Sequence, residues 1–249
     1  MRTAIARPAR SLAVRLTPLM AALAAAWPLL VAAQQRPAGN TVPVPSASWR
    51  VQGSGAAAPV NRANSRGGVD QTITQDSQKA IYQWQRFDIG ANSSVNFDMK
   101  LANASALNRV LGSTAPSQIF GKLSATNGGE IYLINANGIL FGRGAQVNTG
   151  SLIASALNIS DAEFNSGLTN NLLFDKTTPA FRYDGAAEDF VDAKNFVRVE
   201  DGAQITTANG GRVFLFAKRV ENGGQISTPG GQTMLAGGGA IYLQSPDDQ

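Results

Sequence analysis

One small group of residues has the types and the spacing that acid–base chemistry needs. Glu188, Asp189 and Asp192 lie close together, and Lys194 or Arg198 could place a positive charge beside them. A lyase or hydrolase that acts on polysaccharide would use carboxylates next to a basic residue in this way. The group is more typical of a solvated loop, because the sequence around it is polar and irregular. We therefore name no catalytic residue and keep a secreted β-helix enzyme acting on polysaccharide as the alternative function.

The chain lacks the residues on which other common chemistries depend. Its 249 residues include no Cys and no His. This excludes a Ser-His-Asp triad, a Cys nucleophile and the usual imidazole or thiolate metal sites. None of the 26 glycines stands between a strand and a helix, as the glycines of a phosphate-binding loop do. We predict that the protein is not an enzyme and holds no metal and no cofactor.

The basic charge of the chain belongs to its first 33 residues. The formal net charge is +4, yet Arg2, Arg7, Arg10 and Arg15 lie in this leader, which has no Asp or Glu. Without these four arginines, the 21 basic residues fall to 17 and balance the 17 acidic ones. A nucleic-acid partner needs a net positive surface, so we predict that nucleic acid is not a partner.

The leader, residues 1–33, has the three parts of a secretory signal peptide. An Arg-bearing start precedes an apolar span at 16–33, which ends in the small residues of a cleavage site. A membrane anchor is the alternative, but the span is short for a membrane-crossing helix and contains Pro18 and Pro28. We predict cleavage after recognition by the Sec translocon.

Two segments of different composition follow the leader. Residues 34–68 are mostly Pro, Ala, Gly, Ser, Asn and Arg, which predicts a mobile or weakly ordered segment. The alternative is that Trp49-Arg50-Val51 forms a first edge strand. From residue 69 to residue 99, apolar and polar residues alternate as in half-buried strands. We expect this block to close the N-terminal end of the fold, with its aromatics in the core rather than on a sugar- or base-stacking surface: Tyr82, Trp84, Phe87 and Phe97.

A sharp corner joins two strand-forming runs in the middle of the chain. Residues 131–134 and 139–141 alternate strand-forming side chains, and Asn135-Ala136-Asn137-Gly138 lies between them. Asn and Gly tolerate the left-handed backbone that such a corner needs. We expect positive φ at Asn137 or Gly138, and local side-chain to backbone hydrogen bonds from both asparagines. Further strands are predicted around Val147 and at 152–155, so the chain turns every seven or eight residues without a helix.

A repeat is visible in the last third of the chain. Val213 and Leu215 recur 20 residues later as Thr233 and Leu235, while Ile205 recurs at Ile226 and Val220 at Ile241, each 21 later. Glycines recur at the matching corners 210–211, 223–224, 230–231 and 237–239. The pattern predicts an all-β fold, a right-handed parallel β-helix of about 20 residues per coil with three strands per turn. The Leu-rich consensus of leucine-rich repeats is missing.

The predicted β-helix has an inside, an outside and one interruption. Alternation places Ile131, Leu133, Val213, Leu215, Thr233 and Leu235 inside, and Tyr132, Phe214 and Met234 on the other side. Between 160 and 196 the repeat breaks. Ser160 is a suitable N-cap for a short helix at 161–164, and we interpret the rest as an excursion that lies on the coils.

Four ordered blocks give the chain a specific resemblance. They are 107–110 (LNRV), 117–123 (SQIFGKL), 135–142 (NANGILFG) and 150–155 (GSLIAS). They resemble the N-terminal haemagglutination activity domain of filamentous-haemagglutinin-type exoproteins. The resemblance also includes 83–90 (QWQRFDIG) and 95–97 (VNF), and it extends over roughly 70–243. One departure is Ala136, because the family usually has proline at this position of the corner.

The resemblance implies a function in two-partner secretion. In that family the domain is recognised by an outer-membrane β-barrel transporter with periplasmic domains, and it nucleates β-helix folding outside the cell. It implies a secreted or cell-surface adhesin or other exoprotein of a Gram-negative bacterium, because adhesion, cytolysis, haem acquisition and contact-dependent toxicity all occur behind such domains. Host-surface or glycan binding would belong to a further C-terminal region. The tail after 243 does not resemble a cap, so we expect a longer exoprotein with residues 69–249 as its secretion domain. The candidate secretion and folding residues are Leu107, Asn108, Arg109, Val110, Asn135, Asn137, Gly138, Ile139, Phe141 and Gly142.

Overall fold

The computed structural model describes residues 35–53, 58–168 and 178–243; the predicted signal peptide at 1–33 lies outside these ranges. Within them the chain forms twenty strands, a short helix α1 (Asp161–Ser166) and a 3-10 helix at Ala187–Asp189. None of the described helices is long and apolar enough to cross a membrane. The strands are β1 (Val44–Gln52), β2 (Val60–Ala63), β3 (Val69–Gln75), β4 (Lys79–Arg86), β5 (Ser94–Met99), β6 (Ser105–Val110), β7 (Ser117–Ile119), β8 (Lys122–Ala125), β9 (Glu130–Ile134), β10 (Ile139–Phe141), β11 (Gln146–Thr149), β12 (Ser151–Ser155), β13 (Phe181–Arg182), β14 (Phe196–Val199), β15 (Gln204–Thr207), β16 (Arg212–Ala217), β17 (Arg219–Asn222), β18 (Gln225–Ser227), β19 (Gln232–Gly237) and β20 (Ala240–Ile241).

Three parallel sheets make the walls of a β-helix. Face A contains β4, β6, β9, β12, β16 and β19; face B contains β3, β5, β8, β11, β15 and β18; face C contains β7, β10, β14 and β17. Each strand pairs in parallel with its counterpart one coil away. The chain visits face B, face A and face C in turn. The predicted parallel β-helix is confirmed. The described residues form six coils, of which the four middle ones have three strands per turn and the first and last have strands on faces A and B alone.

Two antiparallel strands add a further layer at the N-terminal end. β1 pairs with β4 and β2 pairs with β3. The prediction that residues 34–68 are weakly ordered is therefore wrong for the described part, and the edge-strand alternative is correct. Trp49 supplies the physical reason, because its ring stacks on Tyr82 with the centroids 5.0 Å apart. The block 69–99 belongs to the first two coils, so the cap lies upstream of the place we predicted.

The coils differ in length. Val213 pairs with Thr233 and Ile205 pairs with Ile226, which confirms a period of 20 to 21 residues in the last third. Nearer the N-terminus, Ser94 pairs with Lys122, 28 residues later. The period of 20 is thus wrong for the early coils, where longer corner loops take up the additional residues.

One predicted match in the repeat is wrong. Val220 lies in β17 and pairs with Val197 of β14, whereas Ile241 lies in β20 and pairs antiparallel with Phe181 of β13. The chain leaves the β-helix after β19 and meets the excursion instead. The similarity of the two positions in sequence therefore does not reflect a shared place in the coils.

The interior of the coils is one continuous hydrophobic core. Ile131, Leu133, Val213 and Leu215 are buried there as predicted. The four aromatics assigned to the core, Tyr82, Trp84, Phe87 and Phe97, are fully buried. Leu235 is 42% exposed and Thr233 is also exposed, so their predicted burial is wrong. Both lie on β19, the last strand of face A in the described chain, where only one neighbouring coil covers them.

A second hydrophobic cluster covers the outer side of face A. It contains Tyr132 and Phe214, with Met234 packed against it. Phe164 of α1 and Phe181 of β13 lie over these side chains, so the excursion predicted between 160 and 196 is a covering layer. Ser160 caps α1 as predicted, since its side chain accepts from the Glu163 N–H in a capping box. Face A is therefore buried on both sides, except at β19.

Glycine allows successive coils to approach each other at the corner between faces B and A. A Cβ on Gly150 would lie 1.9 Å from the carbonyl oxygen of Gly128, and one on Gly211 would lie 2.0 Å from that of Gly150. Gly231 repeats the arrangement on Gly211, at 1.8 Å. A side chain of any size would push the coils apart at these positions, which explains the recurring glycines.

Candidate functional site

The corner at Asn135–Gly138 joins β9 on face A to β10 on face C. The Gly138 N–H donates to the Asn135 carbonyl oxygen at 2.9 Å, and the Asn137 N–H donates to Asn135 Oδ1 at 3.0 Å. Gly138 has φ of +102°, so the expected positive φ is at Gly138 and not at Asn137. The asparagine side chain and the glycine backbone together make the turn.

Both asparagines of the corner also reach the preceding coil. Asn135 Nδ2 donates to the Ala115 carbonyl oxygen at 3.2 Å and to Ser117 Oγ at 3.1 Å. Asn137 Nδ2 donates to the Ser113 carbonyl oxygen at 2.9 Å. The expected local bond is present only at Asn135, and the other contacts join coils. Asn135 is 1% exposed, so water does not reach the buried acceptors around it. The Asn135 amide supplies the hydrogen bonds that these acceptors need.

Sequence reasoning missed Asn195, which extends this arrangement to the following coil. Asn195 is fully buried. Its Nδ2 donates to the carbonyl oxygens of Ala156 at 2.7 Å and Ala136 at 3.3 Å, and its Oδ1 accepts from the Lys218 N–H at 2.7 Å. Asn195 stands two residues before Val197, the partner of Ile139, as Asn137 stands two residues before Ile139. This shared offset was a usable signal, but the excursion hid it.

Restoring proline at position 136 should leave stability unchanged or raise it slightly. In the described ranges the Ala136 N–H makes no hydrogen bond, the side chain is exposed, and proline is favoured at this second position of a turn. We expect Ala136→Pro to add about 0.4–1 kcal/mol by restricting the unfolded chain. Urea unfolding of the purified protein measures it. A loss above 1 kcal/mol would mean that the native φ at 136 does not suit proline.

Asn108 places an amide inside the hydrophobic core. It lies on β6 and is fully buried. Its Oδ1 accepts from Trp84 Nε1 at 3.0 Å, and its Nδ2 donates to the carbonyl oxygens of Tyr132 at 3.0 Å and Ala106 at 3.2 Å. The two longer-range contacts join three successive coils. Both polar atoms of this side chain have hydrogen-bond partners, so its burial leaves no unsatisfied polar group.

Arg109, the next residue, faces the outside of β6 and holds the excursion. Its side chain is 11% exposed and forms an ion pair with Asp161, the first residue of α1. It also donates from Nε to Asn158 Oδ1 at 3.2 Å and from its second terminal nitrogen to the Ile159 carbonyl oxygen. Because guanidinium presents several donors in a fixed plane, one side chain fixes the whole loop before the helix.

The remaining predicted residues fill space around these polar groups. Val110, Ile139 and Phe141 lie in the interior core, and Leu107 lies in the outer cluster. Gly142 leaves room for the ring of Phe120, since a Cβ there would lie 2.1 Å from it. All ten residues lie on two adjacent coils, because β6 pairs with β9. All except Asn137 are buried, so the group can hold a conformation but presents almost no surface.

Asp88, in the resemblance block 83–90, has a similar structural use. It is 7% exposed, and its Oδ1 accepts from the Gln118 N–H at 2.8 Å. Burial raises the pKa of Asp88, while the Gln118 N–H and the Arg86 guanidinium oppose this shift. The carboxyl thus ties β7 to the turn that follows β4.

The acidic group that could have done chemistry is a solvated loop. Glu188, Asp189 and Asp192 are all exposed. Lys194 forms an ion pair with Asp189, and this hydrogen bond raises the pKa of Lys194. Arg198 pairs with Glu221 instead. Within the described ranges, no three acidic residues are grouped closely enough to hold a metal ion.

Comparison with known proteins identifies one protein family and two curated relatives of the same name. The model of the TPS secretion domain matches residues 48–248. A heme/hemopexin-binding protein of Haemophilus influenzae is 42% identical over 95 residues, 38% of this chain and 10% of that protein. Its counterpart in strain Rd is 33% identical over 182 residues, 68% of this chain and 19% of that protein. The chain therefore spans less than a fifth of these curated relatives.

The fold also has a solved counterpart. The crystal structure of the HMW1 secretion domain from Haemophilus influenzae aligns with a TM-score of 0.56 and 28% sequence identity. The alignment covers 75% of this chain and 43% of that chain. Sequence family and three-dimensional structure thus agree on the same kind of domain.

Proposed function

This chain belongs to the TPS secretion domain family, and from that premise we propose that it delivers a longer exported protein to an outer-membrane barrel transporter. Relatives that match it are several times longer than this chain, which supports a role as the N-terminal part of an exoprotein. The binding that gives those relatives their name belongs, on this proposal, to regions that the chain does not share with them. We assign it no catalytic role, since its acidic loop is exposed and paired with cations.

The transporter meets this domain before the domain folds. The observation that supports this step is burial. Nine of the ten candidate residues are buried. The buried side-chain amides are bonded to neighbouring coils, and the Arg109 guanidinium is bonded to the excursion. A transporter could not contact their side chains on the finished β-helix. In the folded domain these residues therefore serve the fold, and any contact that the transporter makes with them is made on the extended chain.

Backbone pairing is the binding mode that fits such a chain. Without the leader, basic and acidic residues are equal in number, so strong electrostatic attraction is not available. Alternating strands offer one apolar side and a full row of backbone donors and acceptors, and strand addition to an open sheet edge uses both. In the folded domain most of these rows are occupied by the neighbouring coils.

Binding to the periplasmic region of the cognate transporter should therefore depend on unfolding. We expect the chain kept unfolded in dilute urea to bind, and the folded chain to bind at least about tenfold more weakly, because its strand edges are already paired. Fluorescence anisotropy measures both affinities at one urea concentration, chosen so that the wild-type chain stays folded while the destabilised Gly138→Val variant is unfolded. Equal affinity for the folded chain, or binding lost on raising the salt to moderate concentration, would contradict this mode.

Entry into the pathway requires the leader, on the same proposal. Residues 1–33 direct the chain to the Sec translocon, so a variant without them should stay in the cytoplasm. The mature protein then crosses the outer membrane and is released or held at the cell surface, where a further C-terminal region would contact a host surface or glycan. The described residues between 36 and 243 make the folded domain, with β1 and β2 included in it.

A further inference from the structure

The excursion crosses the outside of face A from the first coil to the last. We use the name outer strap for its two described parts, residues 156–168 and 178–195. In a simple β-helix each coil contacts only its neighbours. The outer strap departs from this rule, because its contacts reach both ends of the coil stack while its two ends join the fourth coil.

The first part of the outer strap is bound to the N-terminal end. Lys79 Nζ on the first coil donates to the carbonyl oxygens of Phe164 at 2.9 Å and Asn165 at 2.6 Å. The amides of Asn165 and Gln52, on β1, exchange two hydrogen bonds of 2.7 and 2.9 Å. Arg109 on the second coil holds the loop that leads into α1. Three layers of the N-terminal end are thus attached to one short segment.

The second part is bound to the C-terminal end. Phe181 pairs with Ile241, and Arg182 pairs with Ala240, in the antiparallel ladder of β13 and β20. The Tyr183 N–H donates to the Gly239 carbonyl oxygen at 2.8 Å. The ring of Phe181 also packs on Phe216 of the fifth coil, with the centroids 5.0 Å apart. This part therefore depends on chain that follows the last strand of face A.

Asn158 connects the two parts directly. Its backbone exchanges hydrogen bonds with Arg182, at 2.8 and 2.9 Å. Its side chain accepts from Arg109 Nε at 3.2 Å and donates from Nδ2 to Asp184 Oδ2 at 2.6 Å. A continuous path of paired groups thus runs from Arg109 on the second coil, through Asn158 and Arg182, to Ala240. It does not involve residues 169–177.

We propose that the outer strap makes the first two coils and the last coil of this domain open together, as one cooperative unit. The N-terminal coils then reach full stability only after the chain through Ile241 has been incorporated. This property goes beyond the proposed secretion function and does not rest on it, since it can be measured on the purified protein without a transporter. Failure of either proposal would leave the other standing.

Hydrogen exchange of Ile241→Ala tests the coupling, with Leu235→Ala as the matched control. Ile241 is 8% exposed and packs with the outer cluster, whereas Leu235 lies six residues earlier, on β19, and does not belong to that cluster. We expect Ile241→Ala to speed exchange about tenfold in 156–168 and 105–110, because local opening spreads along paired elements. Leu235→Ala should speed exchange only in β16 and β19. Adding Asn158→Ala should remove the effect of Ile241→Ala on 105–110.

Other outcomes would overturn the proposal. If faster exchange in Ile241→Ala stayed within 212–241, the ends would be independent. If Leu235→Ala spread as far as Ile241→Ala, the coil stack alone would carry the coupling. Should Ile241→Ala fail to fold, Ile241→Val gives the same comparison with a smaller perturbation, and an effect confined to 212–241 in that variant would contradict the outer strap equally.

Discussion

Gly138→Val should destabilise the domain by about 2–6 kcal/mol, the sum of backbone strain and overpacking. Gly138 has φ of +102°, which a β-branched residue hardly adopts. A Cβ there would also lie 2.7 Å from the Lys194 carbonyl oxygen and 2.8 Å from the Phe196 ring. Phe196 begins β14 of the next coil, and Lys194 lies at the end of the outer strap that leads into it, so the substitution pushes that coil away. The midpoint of urea unfolding of the purified protein measures the loss.

Gly144→Val is the control that measures the cost of backbone strain without a steric clash. Gly144 has φ of +90°, and apart from its chain neighbours no atom of the described residues lies within 4 Å of an added Cβ, so it should lose only the strain, about 1–3 kcal/mol. Gly138→Ala carries the same Cβ as valine and meets the same carbonyl oxygen. Backbone strain alone would make Gly138→Val much more destabilising than Gly138→Ala. Because both variants meet this oxygen, the difference between their free energies of unfolding should be smaller than that. Equal losses at 138 and 144 would show that contact with the next coil is unimportant.

Asn108→Leu should cost about 2–4 kcal/mol, although leucine suits a hydrophobic core. The reason is that two hydrogen-bond partners of Asn108 remain buried without it. Trp84 Nε1 would lose its acceptor, and the Tyr132 carbonyl oxygen would lose a donor. A buried unsatisfied polar group costs about 1–3 kcal/mol. Equilibrium unfolding in urea gives the difference. A loss near zero would mean that water enters the core to replace the amide.

A double substitution tests the cause of that loss. Trp84→Phe removes the orphan donor, so combining it with Asn108→Leu should cost about 1–2 kcal/mol less than the sum of the single changes. Additive losses would instead assign the effect of Asn108→Leu to poor packing. Ile139→Leu serves as the matched core change, because it alters shape at a buried position without changing any polar contact.

The features that the sequence predicts well are those set by neighbouring residues. The corner at 135–138 and the N-cap at Ser160 depend on turn and capping chemistry within four residues, and the structure has both. Alternation likewise identified Ile131 and Leu215 as core residues. The parallel β-helix followed from these local signals because each coil repeats them.

The features that the sequence did not predict depend on distant contacts. β1 lies in a segment of low-complexity composition, where an edge strand was only the alternative, and it becomes a strand because Trp49 stacks on Tyr82. Arg109 stands in a recognised block, but its partner Asp161 is 52 residues away, so its role could not be assigned. Asn195 could be matched to Asn137 only after the excursion was known to interrupt one coil. In each case tertiary packing, not local preference, decides the outcome.

Secreted yield and unfolding midpoint, measured together for Asn135→Ala, Asn137→Ala and Gly138→Val, test most directly the claim that the corner is a folding device. Yield is measured with the cognate transporter present, and midpoints on the purified proteins. We expect yield to fall in the order in which stability falls, with Gly138→Val lowest. Yield abolished in all three variants while their midpoints stayed at the wild-type value would contradict it, and would make the corner a recognition signal for the transporter.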